Sequence, residues 1–220
     1  MTKAPATFLP LGTSDDVFTA QKGTLRCTAI RLASGGLCLY SPVLGLDAAA
    51  WQSLRAFGQV THLLAPNHYH NKGLAACSAT FPDAKLCCTL AAMPRLEQQT
   101  GLSFEPLDTA DIALPAQASF LEPDGLKTGE IWVQMTTADG ALWIVTDAFC
   151  GPKRAPGTVV DTPEMPGTFP RFGIKDRAVY QAWIASQPSL DRLTTIVPCH
   201  GAVISGPDLG PAALQLVEDL

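Results

Sequence analysis

The alternation of apolar and polar positions in the first half of the chain predicts a hairpin followed by alternating helices and strands. Segment 24–42 alternates on both sides of Ser34-Gly35-Gly36, which is typical of a hairpin turn. Asp47 is the predicted N-cap of a helix that ends at Gly58. After it we expect a buried strand over 60–65, a helix over 74–81, a strand over 85–89 and a helix over 93–99.

The second half repeats this pattern. Two apolar segments, 130–136 and 142–146, lie on either side of the turn Asp139-Gly140. Segment 151–173 contains five prolines and four glycines and predicts a long irregular loop. A helix over 176–186, a strand over 193–197 and a helix over 211–220 follow. This order predicts an α/β protein whose two βαβ-like halves pack as a four-layer α/β/β/α sandwich, one domain over residues 1–220.

Composition narrows the classes of partner. Hydrophobic residues make up 47% of the 220-residue chain, which is enough for a sizeable core, and charged residues make up 16%. The net charge is −5 and no Lys/Arg cluster marks a surface, so we expect no nucleic-acid partner. No apolar segment has the length of a membrane span, and the N-terminus resembles no signal peptide. We therefore expect a cytoplasmic protein without a membrane partner, and the pattern leaves a homo-oligomer open.

The seven cysteines do not predict a disulfide framework. Their number is odd, most lie in apolar segments, and no Cys-x-x-Cys pair is present. We expect reduced, mostly buried thiols. Among these thiols Cys150 is the best candidate for a nucleophile, although a structural role is the simpler interpretation.

Candidate chemistry is concentrated at the ends of predicted strands. The chain has four histidines. His62 lies within a strand and is expected to be structural, whereas His68 and His70 form a His-x-His pair just after that strand. Asp147 and His200 each follow a buried strand. Because a buried charge or imidazole without a partner is costly, each of these two side chains is expected to have one.

In this order, the elements resemble the metallo-β-lactamase fold family over nearly the whole chain, from Thr24 to His200-Gly201. Thr146-Asp147 is similar to the family's Gly-Asp element, and Val197-Pro198-Cys199-His200-Gly201 to its late His-Gly element. The turn over 123–131 is similar to the family's Pro-Gly-His-Thr-Pro-Gly turn. Here, however, Leu126 stands where the family has a metal-binding His.

The family's first motif, Thr-His-x-His-x-Asp-His, corresponds to segment 64–73 and can be aligned in two registers. In one register both leading histidines are replaced and Lys72 stands for the third. In the other, His68 and His70 are kept and Lys72 takes the Asp position. Both registers lack the Asp-His pair of the second metal site. The Ala65-Pro66-Asn67-x-x-His70 pattern resembles a divergent, mostly uncharacterised branch with eroded metal-binding motifs, the DUF4336-like proteins.

The resemblance implies two alternative functions. One is a metal-dependent hydrolase of ester, amide or thioester bonds that acts on a small-molecule substrate through His70, Asp147 and His200. It would hold at most one zinc ion and no other cofactor. Its available metal ligands are His68, His70, Asp147 and His200. The other is a metal-free, non-catalytic binding or structural domain, in which the Lys72 ammonium neutralises Asp147.

Two cationic residues are candidates for substrate binding. Lys72 lies beside the first motif, and Arg171 lies in the 151–173 loop between two phenylalanines. In such a loop Arg171 could hold a carboxylate or phosphate of the substrate. The alternative is a solvated loop with an aromatic pair that anchors it.

Overall fold

The computed structural model describes residues 6–220. Their contacts divide the chain into an N-terminal unit, which ends at Ala116, and a C-terminal unit, Gln117–Leu220. Each unit has one mixed β-sheet and its own helices and apolar core. That the two units form one domain over 1–220 stays a prediction.

The N-terminal unit is built on a seven-stranded sheet in which spatial order follows chain order. Its strands are β1 (Leu9–Leu11), β2 (Ser14–Lys22), β3 (Leu25–Arg31), β4 (Leu37–Tyr40), β5 (Val60–Leu64), β6 (Lys85–Cys88) and β7 (Glu105–Pro106). Strands β1 to β4 are antiparallel, and β4 to β7 are parallel. The β3–β4 hairpin was expected from the sequence. Because β4, β5 and β6 run in parallel, the segments that follow them leave at one edge of the sheet.

Three helices connect the parallel strands of this unit: α1 (Ala48–Arg55), α2 (Leu74–Thr80) and α3 (Met93–Thr100). Asp47 caps α1 as predicted, since its Oδ1 accepts hydrogen bonds from the backbone amides of Ala49 and Ala50, both at 3.1 Å. The core contains side chains from β2, β4 and α1, including Phe18, Leu39 and Leu54.

The C-terminal unit has a six-stranded sheet in the order β11-β13-β12-β10-β9-β8. Its strands are β8 (Ala118–Leu121), β9 (Trp132–Thr137), β10 (Gly140–Val145), β11 (Val159–Val160), β12 (Leu193–Pro198) and β13 (Val203–Ser205). The predicted β9–β10 hairpin is present and antiparallel. Strands β10 and β12 are parallel neighbours, and both are almost completely buried.

The helices of this unit are α4 (Phe169–Phe172), α5 (Arg177–Ala185) and α6 (Leu209–Glu218). The last helix begins two residues before the predicted start at Pro211, because a proline is accepted within the first turn, where its missing N–H has no intrahelical partner. The 151–173 loop is largely irregular, as predicted, and contains only β11 and α4.

Two further expectations from the sequence concern the cysteines and membrane-spanning helices. All seven cysteines are free thiols, and six of them are buried. Within residues 6–220, no helix combines the length and the apolar character needed to cross a membrane.

Candidate metal centre

Asp147 and His200 lie side by side because the strands before them are parallel neighbours in register. Val145, the last residue of β10, pairs with Pro198, the last residue of β12. Each functional side chain follows two residues later, so both leave the same sheet edge at the same level. His200 Nε2 lies 3.1 Å from Asp147 Oδ1, and the two side chains are 34% and 25% exposed. The C-terminal unit therefore contains a half-buried imidazole–carboxylate pair that is accessible to solvent.

The backbone around His200 is held by two glycines in close approach. Gly201 has φ = 79°, and a Cβ on it would lie 1.8 Å from the carbonyl oxygen of Gly151. The amide of Gly151 donates a hydrogen bond to the His200 carbonyl at 3.2 Å. Any side chain at position 201 would displace this contact, so the His-Gly sequence is a steric requirement of the turn.

In the N-terminal unit, Asn67 shapes the turn that follows β5. Its side chain is completely buried, and its Oδ1 accepts hydrogen bonds from the amides of Tyr69 at 2.8 Å and His70 at 3.1 Å. Asn and Asp side chains commonly stabilise turns in this way. In one of the two alignments with the family's first motif, Asn67 stands at a ligand position. In this protein its side chain stabilises the turn.

His70 is oriented by Ser41, the residue that follows β4. The Ser41 hydroxyl lies 2.7 Å from His70 Nδ1, and its amide donates to the Leu64 carbonyl at 3.1 Å. Ser41 is buried and has φ = 54°, the left-handed conformation that residues with a Cβ rarely adopt. A strained, buried residue that holds an imidazole through one ring nitrogen is typical of a positioned functional side chain.

His68 has a different environment from His70. Arg95 Nη1 lies 3.0 Å from His68 Nε2, and because a guanidinium can only donate, the imidazole accepts this hydrogen bond. The pKa of His68 is lowered to about 4, first by burial and second by the charge of Arg95. His68 is therefore a neutral imidazole whose Nε2 lone pair is occupied by Arg95, and it lies outside the group of residues described next.

Among the described residues, one group of three potential metal ligands is found: His70, Asp147 and His200. Such a group could hold one metal ion. Two imidazoles and one carboxylate are ligands that zinc accepts, and catalytic zinc sites have three protein ligands and an open position. Two ligands of a tetrahedral zinc ion lie about 3.3 Å apart at bond lengths of about 2.0–2.1 Å. The Asp147–His200 separation of 3.1 Å is already close to that value.

The two predicted substrate-binding residues are both exposed. Lys72 lies in the turn before α2, and the carboxylate of Asp147 lies beside His200 of its own unit. A Lys72–Asp147 pair stays a prediction. Arg171 lies on α4 with its guanidinium 5.2 Å from the centre of the Phe172 ring. Phe169 is buried and anchors the loop against Tyr180, at 5.9 Å between ring centres. Substrate binding by Lys72 and Arg171 stays a prediction.

The remaining candidates have structural environments. His62 is buried, with its ring nitrogens 2.9 Å from the Thr61 hydroxyl and 3.0 Å from the Ala110 carbonyl. The pKa of the Cys150 thiol is raised to about 11, mainly by burial and then by the charges of Glu164 and Asp147. A thiol with this pKa is protonated at neutral pH, which does not favour nucleophilic catalysis.

Sequence reasoning did not find Ser41 and Arg95. Ser41 follows a strand directly, and the parallel β4–β5 pairing brings it to the edge where the His70 turn lies. Its position directly after a strand is the feature of the sequence that could have identified Ser41. Arg95 lies on α3, 27 residues after His68, and no sequence spacing indicates their contact.

Comparison with solved structures shows that the chain has the metallo-β-lactamase fold. The metallo-β-lactamase FIM-1 from Pseudomonas aeruginosa, in its mono-zinc form, is 15% identical, and the match covers 98% of this chain and 96% of that one with a TM-score of 0.63. A metallo-β-lactamase from Hirschia baltica is 13% identical, covers 97% and 98%, and has a TM-score of 0.64. The metal-soaked flavodiiron core of Flv1 from Synechocystis sp. PCC6803 is 12% identical and has a TM-score of 0.59, with 97% of this chain matching 61% of that one.

These matches confirm the predicted fold class, an α/β protein with two mixed sheets flanked by helices. No protein-family model matches the sequence, and no curated protein matches it either. At identities this low the structural likeness establishes the fold, while the activity has to be argued from the site.

Proposed function

We propose that this protein is a hydrolase that binds one metal ion, zinc, through His70, Asp147 and His200. The observation that carries the proposal is the Asp147–His200 pair, whose donor atoms are 3.1 Å apart at the ends of two parallel strands. The His70 imidazole, held through Nδ1 by Ser41, is the third ligand. The substrate is a small molecule with an ester, amide or thioester bond. Membership of the DUF4336-like branch is part of this proposal and rests on the Ala65-Pro66-Asn67-x-x-His70 pattern.

The protein residues have separable tasks in this proposal. When bound, a zinc ion supplies Lewis-acid chemistry that polarises a carbonyl group and provides a nucleophile at neutral pH. Asp147 and His200 are held in place by buried strands, so little reorganisation is needed before they bind the ion. Ser41 keeps the His70 ring in one orientation. The partial exposure of Asp147 and His200 leaves space for a substrate to approach.

The donor set allows one competing metal. Two histidines and one carboxylate also bind Fe(II) in non-haem oxygenases. Among the structural neighbours, FIM-1 is described in a mono-zinc form and Flv1 as a flavodiiron core. The measurement must therefore report both elements.

The first test is the metal content of the purified protein before any chelator is added. Inductively coupled plasma mass spectrometry is expected to find close to one equivalent of zinc in the wild type. His200→Ala and Asp147→Asn should each lose it, because each removes one of three ligands. Asp161→Asn, a change at an exposed carboxylate of the same unit, is the matched control and should keep the metal. If the protein contains one equivalent of iron and no zinc, iron is the metal of the proposed site and the three ligands stay the same.

The second test is hydrolysis by the metal-loaded protein of a panel of chromogenic esters, amides and thioesters. Activity that is lost in Asp147→Asn and kept in Asp161→Asn supports the hydrolase. A wild-type protein that binds no metal even with excess zinc would contradict the proposal. The alternative, a metal-free and non-catalytic binding or structural domain, would then hold.

A further inference from the structure

Arg95 is held in one orientation by two neighbours although its side chain is exposed. Its Nη1 donates to His68 Nε2 at 3.0 Å, and its guanidinium lies 4.6 Å from the centre of the Tyr69 ring. Exposed arginines usually keep their rotational freedom, so this arrangement orders a long side chain at an entropic cost.

The charge of this guanidinium is not neutralised by its neighbours. Neither His68 nor Tyr69 is an acidic residue, and no acidic side chain among residues 6–220 forms an ion pair with Arg95. Glu97, on the same helix, accepts a hydrogen bond from the Phe104 amide. The Nη2 group of Arg95 has no acceptor in the described part of the chain. An oriented guanidinium with open donors matches the planar geometry of a carboxylate or phosphate.

The position of Arg95 connects it with the proposed metal centre. Tyr69, on whose ring the guanidinium lies, directly precedes His70 in the chain, and the amides of both residues are bound by the same Asn67 oxygen. Lys72 lies two residues after His70 and is exposed. The turn that carries the proposed ligand is therefore flanked by two cations on its own unit.

We propose that Arg95 is an anion-binding residue that recognises an oxyanion, a carboxylate or a phosphate, on the substrate. Together with Lys72 it selects negatively charged substrates over neutral ones of the same size. The inference rests on the proposed function in one respect, namely that the anion belongs to the molecule that is hydrolysed. Binding of the anion itself requires only Arg95 in the orientation that the structure shows.

Two chromogenic esters of similar length test the selection. 4-Nitrophenyl butyrate is neutral, and mono-4-nitrophenyl glutarate carries a carboxylate at its far end. In both, water is added across the ester bond to release 4-nitrophenol and the carboxylic acid. The zinc-loaded wild type is expected to prefer the glutarate ester in kcat/KM. Arg95→Gln should reduce that preference about 10- to 100-fold, mainly through KM, as expected for a hydrogen bond to a charged group.

Two further variants sharpen this comparison. Arg95→Lys keeps the charge without the planar fork and should retain part of the preference. Arg55→Gln removes an exposed arginine at the end of α1 and is the matched control, with an unchanged preference expected. Equal use of both esters by the wild type, or an unchanged preference in Arg95→Gln, would overturn the inference while the hydrolase proposal stands.

Direct binding separates the two proposals. Glutarate and inorganic phosphate are titrated separately into ¹⁵N-labelled protein, and the backbone amide resonances of Tyr69 and of residue 95 are followed, because both exist in the wild type and in every variant. Both the wild type and His200→Ala, which lacks a metal ligand, should show saturable shifts that Arg95→Gln abolishes. If no metal binds and these shifts are still present, the anion site stands and the hydrolase proposal falls. Saturation by only one of the two anions identifies the source of the oxyanion, and saturation by neither overturns the inference.

Discussion

Ser41 offers a test of how His70 is positioned, because two substitutions separate its hydrogen bond from its backbone strain. Ser41→Ala and Ser41→Gly both remove the hydroxyl that lies 2.7 Å from His70 Nδ1. Loss of such an outer partner typically lowers metal affinity 10- to 100-fold, or about 1.4–2.7 kcal/mol. We expect this decrease in zinc affinity for both variants.

The same two variants should differ in stability. Both lose a buried hydrogen bond, which contributes about 0.5–1.5 kcal/mol. Alanine stays in the left-handed conformation at φ = 54°, whereas glycine adopts it without steric strain. The glycine variant should therefore be the more stable of the two by about 1 kcal/mol. The greater conformational entropy of its unfolded chain offsets part of this difference.

Zinc affinity is measured by competition with a chromophoric chelator, and the free energy of unfolding by urea denaturation of the metal-free protein. Ser41→Thr keeps a hydroxyl and is the control for zinc affinity alone, because its β-branched side chain adds strain at φ = 54°. Wild-type zinc affinity in Ser41→Ala would refute the positioning role. A glycine variant clearly less stable than the alanine variant would refute the argument from strain.

Three further predictions concern the surroundings of the site. Gly201→Ala should destabilise the protein in urea by more than about 2 kcal/mol and weaken zinc binding, because its Cβ would lie 1.8 Å from the Gly151 carbonyl oxygen; wild-type stability would contradict this steric argument. Cys150, with a pKa of about 11, should be alkylated slowly by iodoacetamide at pH 8 and much faster as the pH approaches 11, measured by mass spectrometry of the labelled peptide; rapid labelling at pH 7 would contradict it. The Tyr180 hydroxyl is buried without a hydrogen-bond partner in the described structure, and burial and then Glu130 raise its pKa well above the usual value. Tyr180→Phe should therefore change the free energy of unfolding little at pH 8. Above pH 10 the tyrosine ionises in the unfolded chain but not in the folded one, which lowers the stability of the wild type. The phenylalanine variant should lack this part of the loss.

Much of the fold could be predicted because local signals agree with the tertiary structure. The turn Ser34-Gly35-Gly36 joins β3 and β4, and Asp47 caps α1, as their residue types indicate. Strand β2 was missed because it begins with Ser14-Asp15-Asp16 and then buries the adjacent residues Val17 and Phe18, which obscures a period of two.

The site could be predicted where it depends on strand ends and could not where it depends on contacts between distant segments. Asp147 and His200 follow apolar strands, and parallel pairing of those strands is enough to bring them together. His68 and His70 look equivalent in sequence. Their roles differ because α3 places Arg95 against one ring and β4 places Ser41 against the other.

The same distinction separates the candidate site residues that follow buried strands from those that lie in turns. Asp147 and His200 follow buried strands whose apolar residues maintain the fold regardless of activity, so their positions persist as long as the sheet does. Lys72 is exposed and lies in a turn, whereas Leu126 forms an isolated bridge with Ile174 and packs against the core of the C-terminal unit. An exposed side chain in a turn contributes little to the core and can change without unfolding the protein. Replacement of Lys72 is therefore a local change, whereas loss of either Asp147 or His200 would remove the half-buried contact at 3.1 Å that the two side chains make with each other.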